Sequence, residues 1–382
     1  MKFLLIPDSF KGTLSSEQIC GLLRESIARH FPEADTVSIP VADGGEGSVD
    51  AFLAALGGEK RYLTVKNPFF EDMEAYYGLI DNGETAVIEM AACAGLPLAE
   101  GRRDPRITTT YGVGQLLVDA ARSGVKRIIM GLGGSATNDA GCGAAAAAGV
   151  KFYNADGEVF IPTGGTLCEV ADIDLSGLDE AVKTVEIVTM CDIDNPMYGP
   201  NGAAYIFAPQ KGADPDMVKE LDDGLRRLAA VMADKLGADY PDTPGAGAAG
   251  AMGMGMMVFF GSRLQMGIQT VLDVVNFEQL AADCDYVITG EGKLDSQSLR
   301  GKVVIGVAQR SQKLDKPVIA IVGGAEDAQV AAAYEEGVTA VFPINRLPLD
   351  FSVSRHHSEE NLKYTADNIM RLLAAEQRRA KK

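Results

Sequence analysis

The sequence predicts an α/β protein in which one domain is inserted into another. Two β-loop-α units open the chain, and the same alternation of apolar strands with helices resumes after Asp285. This alternation is typical of a parallel sheet covered by helices on both faces. Between the two ends the pattern changes, which indicates a second folding unit. The two ends together supply about five parallel strands, enough for one doubly wound sheet.

The first domain is predicted to be discontinuous and to comprise residues 1–60 and 282–382. Its first helix is expected to begin after Ser15, which forms a capping-box pair with Gln18. The last helix is expected to start near Glu359. The predicted strands are short apolar runs at residues 3–7, 36–41 and 286–289 and in the segments "KPVIAIVGG" and "TAVFPIN".

Residues 61–281 are predicted to form the inserted α/β domain, with the active site in the cleft between the two domains. Antiparallel strands are expected around the turn "DNGE", followed by strand-loop-helix units that start at residues 127–130 and 185–190. Residues 243–262 carry no charge and are long enough to span a bilayer. Pro244 and six glycines in that segment favour an irregular loop and the start of a buried helix instead.

The composition argues against several function classes. The 382 residues carry a formal net charge of −18, so no nucleic-acid partner is expected, because binding to phosphate backbones is largely cationic. Six cysteines are scattered without a CxxC pair, and there are three histidines. This pattern argues against a zinc site, a disulfide framework and a histidine-based triad, and favours a reducing cytoplasm. The N-terminal apolar run ends at Asp8, too early for a signal peptide, and no membrane partner is expected.

Carboxylates beside glycines or lysines follow four of the predicted strands. Ligands of open parallel sheets bind beyond the carboxyl ends of the strands, so these segments form the candidate site. Any one of them could be an ordinary turn or helix cap. Their repetition together with lysines is typical of magnesium-assisted phosphoryl transfer. The four segments are residues 8–12, 43–47, 191–195 and 290–295.

A glycine-rich loop, "GLGGSATNDAGCGAAAAAGV" at residues 131–150, follows another predicted strand. Backbone N–H groups at the start of the next helix offer hydrogen bonds and a positive dipole to a phosphate. Ser135, Thr137 and Asn138 could add side-chain donors, and Asp139 could hold a metal. Alternatively, the small residues let the helix pack closely against a neighbour, and the two interpretations are compatible.

This glycine loop lacks the lysine of GxxxxGK[ST] phosphate loops, and "YGVGQL" at residues 111–116 lacks the third glycine of a dinucleotide loop. A positive charge is therefore expected from another loop. Lys302 precedes a predicted helix, where it would meet phosphate oxygens, although a solvated surface lysine is the alternative. The candidates are Lys11, Lys293 and Lys302, with Lys211 in "PQKGA" as a weaker one.

Seven segments in order resemble the type-1 glycerate kinase family across nearly the whole chain. They are "IPDSFKGTLSS", "PVADGGEGS", "LGGSATNDAG.G", "CDIDNP..G..GA", "PQKGA", "PGAGAAG" and "ITGEGKLDSQSL.GK". The resemblance implies a flavodoxin-like doubly wound sheet domain with a restriction-enzyme-like α/β domain inserted into it. It also implies ATP-dependent phosphorylation of D-glycerate with Mg²⁺, and 2-phosphoglycerate as the product. The sequence departs from the family at Ala140 and in the Met-rich "AMGMGMMVFF", but keeps the charged motif residues.

The resemblance, together with the chemistry of the reaction, suggests a role for each candidate residue. The general base that takes the hydroxyl proton is expected to be Asp192, with Asp43 as the alternative. The catalytic candidates are Asp192, Asp43, Lys11 and Lys293, and the metal candidates are Glu291 and Asp295. The substrate-binding candidates are Asp8, Ser9, Asp43, Gly44 and Gly45. The nucleotide-phosphate candidates are Gly133, Gly134, Ser135, Thr137, Asn138 and Lys302.

Other functions remain open at this point. The chain could be a kinase that yields 3-phosphoglycerate or acts on another small sugar acid. It could also be a non-catalytic protein that binds a phosphorylated metabolite, although four carboxylates at strand ends count against a pure anion receptor. A nucleotide-dependent oxidoreductase is disfavoured because no GxGxxG segment directly follows a predicted strand, as a dinucleotide fingerprint requires. The sequence leaves open whether the protein is a homo-oligomer and which loops bind ATP.

Overall fold

The computed structural model describes residues 1–41, 44–296, 298–347 and 349–380. The chain divides into two compact units. The first unit comprises Met1–Ala42 and Met266–Lys382, and the second comprises Asp43–Gln265. Both junctions lie earlier in the chain than the predicted ones, which were placed after residues 60 and 281.

The strands of the described residues are, in chain order, β1 (Lys2–Pro7), β2 (Asp35–Ser38), β3 (Glu59–Lys66), β4 (Asp72–Ile80), β5 (Thr85–Glu89), β6 (Arg127–Gly131), β7 (Lys151–Tyr153), β8 (Val159–Phe160), β9 (Asp172–Asp174), β10 (Glu186–Met190), β11 (Arg263–Gln265), β12 (Tyr286–Leu294), β13 (Val318–Ala325) and β14 (Ala340–Pro343). The helices are α1 (Ser16–His30), α2 (Ser48–Leu56), α3 (Ala91–Ala94), α4 (Tyr111–Arg122), α5 (Cys142–Ala147), α6 (Glu180–Thr184), α7 (Ala203–Phe207), α8 (Pro215–Leu236), α9 (Ala248–Phe260), α10 (Gly267–Val274), α11 (Phe277–Ala281), α12 (Val303–Gln312), α13 (Asp327–Glu335), α14 (Phe351–Ser354) and α15 (Ser358–Ala380).

Local packing explains why the two junctions differ from the predicted ones. Helix α2 packs on β4 and β5 of the second unit, and the backbone N–H of Val49 donates to Glu89 Oε1. Helices α10 and α11 pack on α12 of the first unit. Arg310 in α12 forms ion pairs with Asp273 and Glu278 across that contact. These interactions join residues that are distant in the chain, so a local sequence pattern does not reveal them.

The first unit contains one five-stranded sheet in the order β14-β13-β12-β1-β2, and all of its paired strands run parallel. The chain leaves β1 through α1 toward β2, whereas it leaves β12 through α12 toward β13 on the other side. The topological switch point therefore lies between β1 and β12, where Pro7 pairs with Gly290. This arrangement is the doubly wound, flavodoxin-like strand order, which confirms the predicted fold class.

One apolar core of this unit lies between a face of the sheet and the helices α1 and α15. Phe3 and Leu5 of β1 are fully buried and join Leu23 of α1 and Ile369 of α15 in one apolar cluster. The capping box predicted at Ser15 is present, because its hydroxyl accepts a hydrogen bond from the backbone N–H of Gln18 at 3.1 Å. Burial of such side chains contributes about 1.5–3 kcal/mol each to the free energy of unfolding. It thereby stabilises the sheet whose strand ends carry candidate site residues.

The second unit contains a six-stranded mixed sheet and a small three-stranded sheet. The larger sheet has the order β11-β10-β6-β5-β4-β3 and the smaller one the order β8-β7-β9. Strands β4 and β5 pair antiparallel around the turn that follows Ile80, as predicted. Strand β3 also pairs antiparallel with β4, whereas β5, β6, β10 and β11 pair parallel. The unit is therefore an α/β fold of its own, in agreement with the predicted second α/β domain.

Two strands differ from the sequence prediction. Strand β2 ends at Ser38, three residues before the predicted end at residue 41. Strand β12 continues to Leu294 rather than ending at residue 289, because β13 pairs with it as far as Ala325. The uncharged segment near Pro244 contains the buried helix α9, whose first turn is irregular, as predicted. In the described part of the chain, no helix is long and apolar enough to cross a bilayer.

Candidate active site

A pocket of about 640 Å³ lies in the first unit at the carboxyl ends of its strands. The strands beside the switch point supply most of its charged residues, which is where ligands of such sheets bind. Several predicted site residues come together in this one pocket. They are Asp8, Ser9 and Lys11 after β1, Glu291 and Lys293 at the end of β12, Asp295, and Lys302 at the start of α12.

Glu291 is a deeply buried carboxylate in this pocket. Its side chain is 6% exposed, and Oε1 has no hydrogen-bond partner among the described residues. Burial raises the pKa of Glu291 to about 7, although a hydrogen bond with Ser298 opposes this. The negative charges of Asp8 and Asp295 raise the pKa further. A buried carboxylate with an unpaired oxygen is suited to a metal ion or to a transferred proton.

The two predicted metal ligands, Glu291 and Asp295, therefore lie in a suitable pocket. They do not by themselves supply all the ligands of a metal ion. In the residues that the structure describes, no group of three or more His, Cys, Asp or Glu side chains could hold a metal. Mg²⁺ commonly keeps several waters and binds through one or two carboxylates plus substrate phosphates. The unpaired Oε1 of Glu291 is compatible with that mode of binding.

Replacing Glu291 by glutamine is expected to make stability less dependent on pH. Because the folded-state pKa of about 7 exceeds the usual value of 4.5, the folded protein binds more protons than the unfolded protein between these values. The free energy of unfolding of the wild type should therefore fall as the pH rises through this window. Urea unfolding at about pH 5 and about pH 7.5 measures this decrease in the free energy of unfolding. The decrease should be absent in E291Q and present in the exposed control Glu335→Gln. An equal pH dependence in wild type and E291Q would contradict the prediction.

Lys293 lines this pocket and is paired with a neighbouring carboxylate. Its ammonium forms an ion pair with Glu326 at 2.6 Å, and the side chain is 58% exposed. The neighbouring carboxylate raises the pKa of Lys293, so the lysine stays charged, but Glu326 offsets much of that charge. Lys11 and Lys302 line the same pocket and are the other cations of this group.

The glycine loop lies in the second unit, directly against the predicted substrate loop. The backbone N–H of Gly133 donates to the carbonyl oxygen of Gly44 at 2.9 Å. A Cβ at Gly133 would lie 2.5 Å from the Cα of Gly45, so a side chain there would clash. Two of the predicted site segments are thus in backbone contact, as a shared site requires. Asp43, which precedes Gly44, lies outside the described residues.

Polar side chains of the glycine loop are buried without partners. Thr137 and Asn138 are 0% exposed. Neither the hydroxyl of Thr137 nor either amide atom of Asn138 has a hydrogen-bond partner among the described residues. Buried polar groups are almost always paired, so such groups call for a ligand or an ordered water. This observation supports the predicted role of the loop in binding phosphate.

Asp139 was considered as a metal ligand, and the structure contradicts this. Its carboxylate is fully buried and already accepts hydrogen bonds from the backbone N–H groups of Thr110, Gly141 and Gly143 and from the Thr110 hydroxyl. Burial raises the pKa of Asp139, and these hydrogen bonds oppose the increase. The carboxylate therefore ties the glycine loop to the start of α4 and has little capacity left for a metal.

A lysine from another segment contacts the glycine loop: it is Lys211, the weakest of the four candidates in the sequence. Its side chain is 2% exposed, and Nζ donates to the Ser135 hydroxyl at 2.8 Å and to the Thr137 carbonyl at 2.6 Å. Burial lowers the pKa of Lys211 to about 7, and the charge of Asp139 opposes this decrease. The Lys211 side chain thus lies beneath the loop, where its hydrogen bonds fix the loop conformation and its protonated form adds positive potential.

A second backbone contact holds the glycine loop from the side of α9. A Cβ at Gly250 would lie 2.1 Å from the Thr137 carbonyl, so only glycine allows this approach. The N–H of Ala140 donates to the Gly250 carbonyl at 3.0 Å. Ala140 and Ala249 both adopt left-handed backbone conformations, with φ of 51° and 55°. Such conformations are costly for alanine and tend to cluster at functional sites.

Asp192 follows β10, which pairs with the strand that leads into the glycine loop. The register places Met190 opposite Gly131, so both chain segments leave the sheet at the same edge. Cys191, beside it, is 9% exposed, and burial raises its pKa to about 11. A thiol with such a pKa is a poor nucleophile, and its burial is that of a core residue.

Sequence reasoning missed one group of functional side chains. Thr108, Thr109 and Thr110 are buried just before α4. The Thr108 hydroxyl donates to the Ala136 carbonyl at 2.9 Å, and Thr110 Oγ1 accepts from the backbone N–H of Ala144 at 2.9 Å. The run "TTT" before a helix was the available signal, because a hydroxyl cluster at a helix start can hold neighbouring backbone.

The fold, the glycine loop with its buried lysine and the pocket of carboxylates and lysines define a phosphotransferase of the kinase class. A sequence model of the glycerate kinase family matches residues 3–374. The chain is 42% identical over 370 residues to a glycerate kinase of Bacillus cereus, covering 97% of each. It is 46% identical over 345 residues to a glycerate 2-kinase of Escherichia coli K12, covering 90% of each.

A solved structure shows the same fold. The crystal structure of a protein provisionally assigned as glycerate kinase 2, from Salmonella typhimurium LT2, matches with a TM-score of 0.85 and 40% identity, covering 99% of each chain. The chain therefore belongs to the glycerate kinase family.

Proposed function

We propose that the protein transfers the γ-phosphoryl group of ATP to the 2-hydroxyl of D-glycerate, with Mg²⁺, and releases 2-phosphoglycerate and ADP. The observation that carries this proposal is the glycine loop, with its unpaired buried donors and the ammonium of Lys211 beneath it. A similar protein of E. coli is a glycerate 2-kinase, which supports the choice of the 2-hydroxyl.

The second unit supplies the groups for the acceptor and the transferring phosphoryl group in this proposal. Asp192 takes the hydroxyl proton, with Asp43 as the alternative, while the substrate oxygen attacks the γ-phosphorus and the bond to the bridging oxygen of ADP breaks. The Thr137 hydroxyl and the Asn138 amide of the glycine loop, which have no partner among the described residues, stabilise the negative charge on the phosphoryl oxygens. Gly44 and Gly45 provide donors for the acid.

The first unit supplies charged groups from its pocket. Mg²⁺, when bound, neutralises charge on the nucleotide phosphates, and Glu291 and Asp295 are the side chains that would hold it. Lys11, Lys302 and, more weakly, Lys293 add positive charge there, and Asp8 and Ser9 supply further hydrogen-bonding groups. All six cysteines are unpaired, which supports a reducing cytoplasm as the compartment.

The test is an assay of the full-length protein with ATP, MgCl₂ and D-glycerate, coupled to enolase without phosphoglycerate mutase. Formation of phosphoenolpyruvate is expected, and ADP formation, measured directly without the Mg²⁺-dependent enolase, should cease when EDTA removes the metal. A signal that needs added mutase would replace 2-phosphoglycerate by 3-phosphoglycerate as the product. ATP consumption with another small sugar acid but not with D-glycerate would overturn the substrate, and the same activity in EDTA would overturn the metal requirement.

A further inference from the structure

The pocket of the first unit is larger than glycerate requires. Its volume of about 640 Å³ falls within the range of about 300–1,000 Å³ that is typical of sites for drug-sized ligands. Glycerate is a three-carbon acid and would fill only a small part of it. The other substrate of the proposed reaction, a nucleoside triphosphate with a base, a ribose and three phosphates, matches the volume.

The lining of the pocket is divided between apolar and charged groups. Phe351 of α14 lines the pocket although its side chain is 62% exposed, and the buried Ile344 lies in the same lining. Exposed aromatic rings at binding sites are platforms on which nucleobases stack. Lys11 and Lys302 supply positive charge for phosphates in the same pocket.

The end of β13 contributes backbone rather than side chains to this pocket. Gly324 lines the pocket, and a Cβ added there would meet no atom within 4 Å. Its φ lies outside the left-handed region, so a larger residue is compatible with the backbone. The absence of a side chain at Gly324 therefore leaves room in the pocket for a ligand.

The charges of the pocket also favour a nucleotide over a free carboxylic acid. Asp8, Glu291 and Asp295 all line it, and the buried Glu291 has an unpaired oxygen. These carboxylates would repel the carboxylate of glycerate. A nucleoside triphosphate binds as its Mg²⁺ complex, and carboxylates attract the metal ion.

We propose that this pocket is the nucleotide subsite, with the base stacked on Phe351, the ribose over Gly324 and the phosphates directed toward Lys11 and Lys302. The inference rests on the proposed use of ATP and assigns that substrate to one unit of the chain. Glycerate is then bound by the loops of the second unit.

The test uses Phe351→Ala and Gly324→Val in the full-length protein, with two readouts. Isothermal titration with ADP, without glycerate, measures nucleotide binding directly, and steady-state kinetics give KM for ATP and for glycerate. Loss of the stacking ring should weaken ADP binding and raise KM for ATP about tenfold. Filling the space at Gly324 should have a similar effect. KM for glycerate should stay unchanged, and inorganic triphosphate should bind F351A as well as it binds the wild type.

Matched controls separate the pocket from general damage. Tyr334→Ala removes an aromatic side chain that is 48% exposed in α13 of the same unit but does not line the pocket. Gly21→Val adds a side chain where a Cβ likewise meets no atom within 4 Å, in α1. Both controls should bind ADP as the wild type does.

Two outcomes would overturn the inference. Unchanged ADP binding in F351A and G324V would show that the nucleotide lies elsewhere. A rise in KM for glycerate, with KM for ATP unchanged, would assign the pocket to the acid. Weakened ADP binding by these variants, in a protein that does not phosphorylate glycerate, would support the nucleotide subsite and reject only the proposed acceptor.

Discussion

Replacing Lys211 by methionine is expected to lower kcat about a thousandfold, the loss typical of removing a group that stabilises charge in the transition state. Methionine keeps most of the side-chain volume but leaves the Ser135 hydroxyl and the Thr137 carbonyl without the ammonium that now binds them. The loop should lose both its positive potential and its fixed conformation. Steady-state kinetics of K211M measure the effect.

The control for this variant is Lys219→Met on α8, where the side chain is 67% exposed. It changes the net charge by the same amount and should keep the wild-type kcat. If K211M retained wild-type kcat and folded normally, Lys211 would have no part in the function of the glycine loop.

Lys211 also makes a pH-dependent contribution to stability that K211M should lack. Its folded-state pKa of about 7 is lower than the usual 10.5, so the unfolded protein binds more protons than the folded protein between these values. The free energy of unfolding contributed by this site should therefore rise with pH in that window, by up to about 1.4 kcal/mol per pH unit. Urea unfolding at about pH 7 and about pH 9 tests the difference between wild type and variant.

Replacing Asp139 by asparagine is expected to destabilise the protein by about 3 kcal/mol or more. The carboxylate accepts hydrogen bonds from three backbone N–H groups and from the Thr110 hydroxyl in a fully buried position. An amide keeps one acceptor oxygen but turns two N–H donors toward groups that are themselves donors. The free energy of unfolding from urea titration is the measurement.

Asp234→Asn is the matched control for D139N, because the side chain of Asp234 in α8 is 73% exposed. It should change stability by less than about 0.5 kcal/mol. A D139N variant as stable as the wild type would mean that the carboxylate is already protonated in the folded protein. In that case asparagine would be a close structural substitute.

Much of the fold could be predicted because it depends on periodic local signals. The apolar runs that became β1, β6, β10 and β13 lie between glycine-rich or capped segments, and each is a strand in the structure. The parallel arrangement followed from the alternation of strands with helices. The extension of β12 to Leu294 was missed because "GEGKL" has no apolar pattern, and only pairing with β13 makes it a strand.

The candidate site could be predicted by residue type but not by environment. Carboxylates, lysines and glycines at strand ends pointed to the segments that line the pocket of the first unit and the loop of the second. Which lysine serves the glycine loop could not be predicted, because Lys211 lies 76 residues from Ser135 in the chain. Asp139 and Glu291 looked alike in sequence, yet one is fully hydrogen-bonded and the other has an unpaired oxygen.

The sequence by itself determined the α/β class, the alternation that builds the doubly wound sheet, the glycine loop and membership of the glycerate kinase family. Only the tertiary structure decided where the two units divide, that Lys211 is the cation beneath the loop, that Asp139 is structural and that Glu291 is a buried acid in a large pocket. The reason is physical: strand and helix patterns arise from interactions between neighbours in the chain. The charge state and the hydrogen-bonding capacity of a side chain depend instead on desolvation by residues far away in sequence.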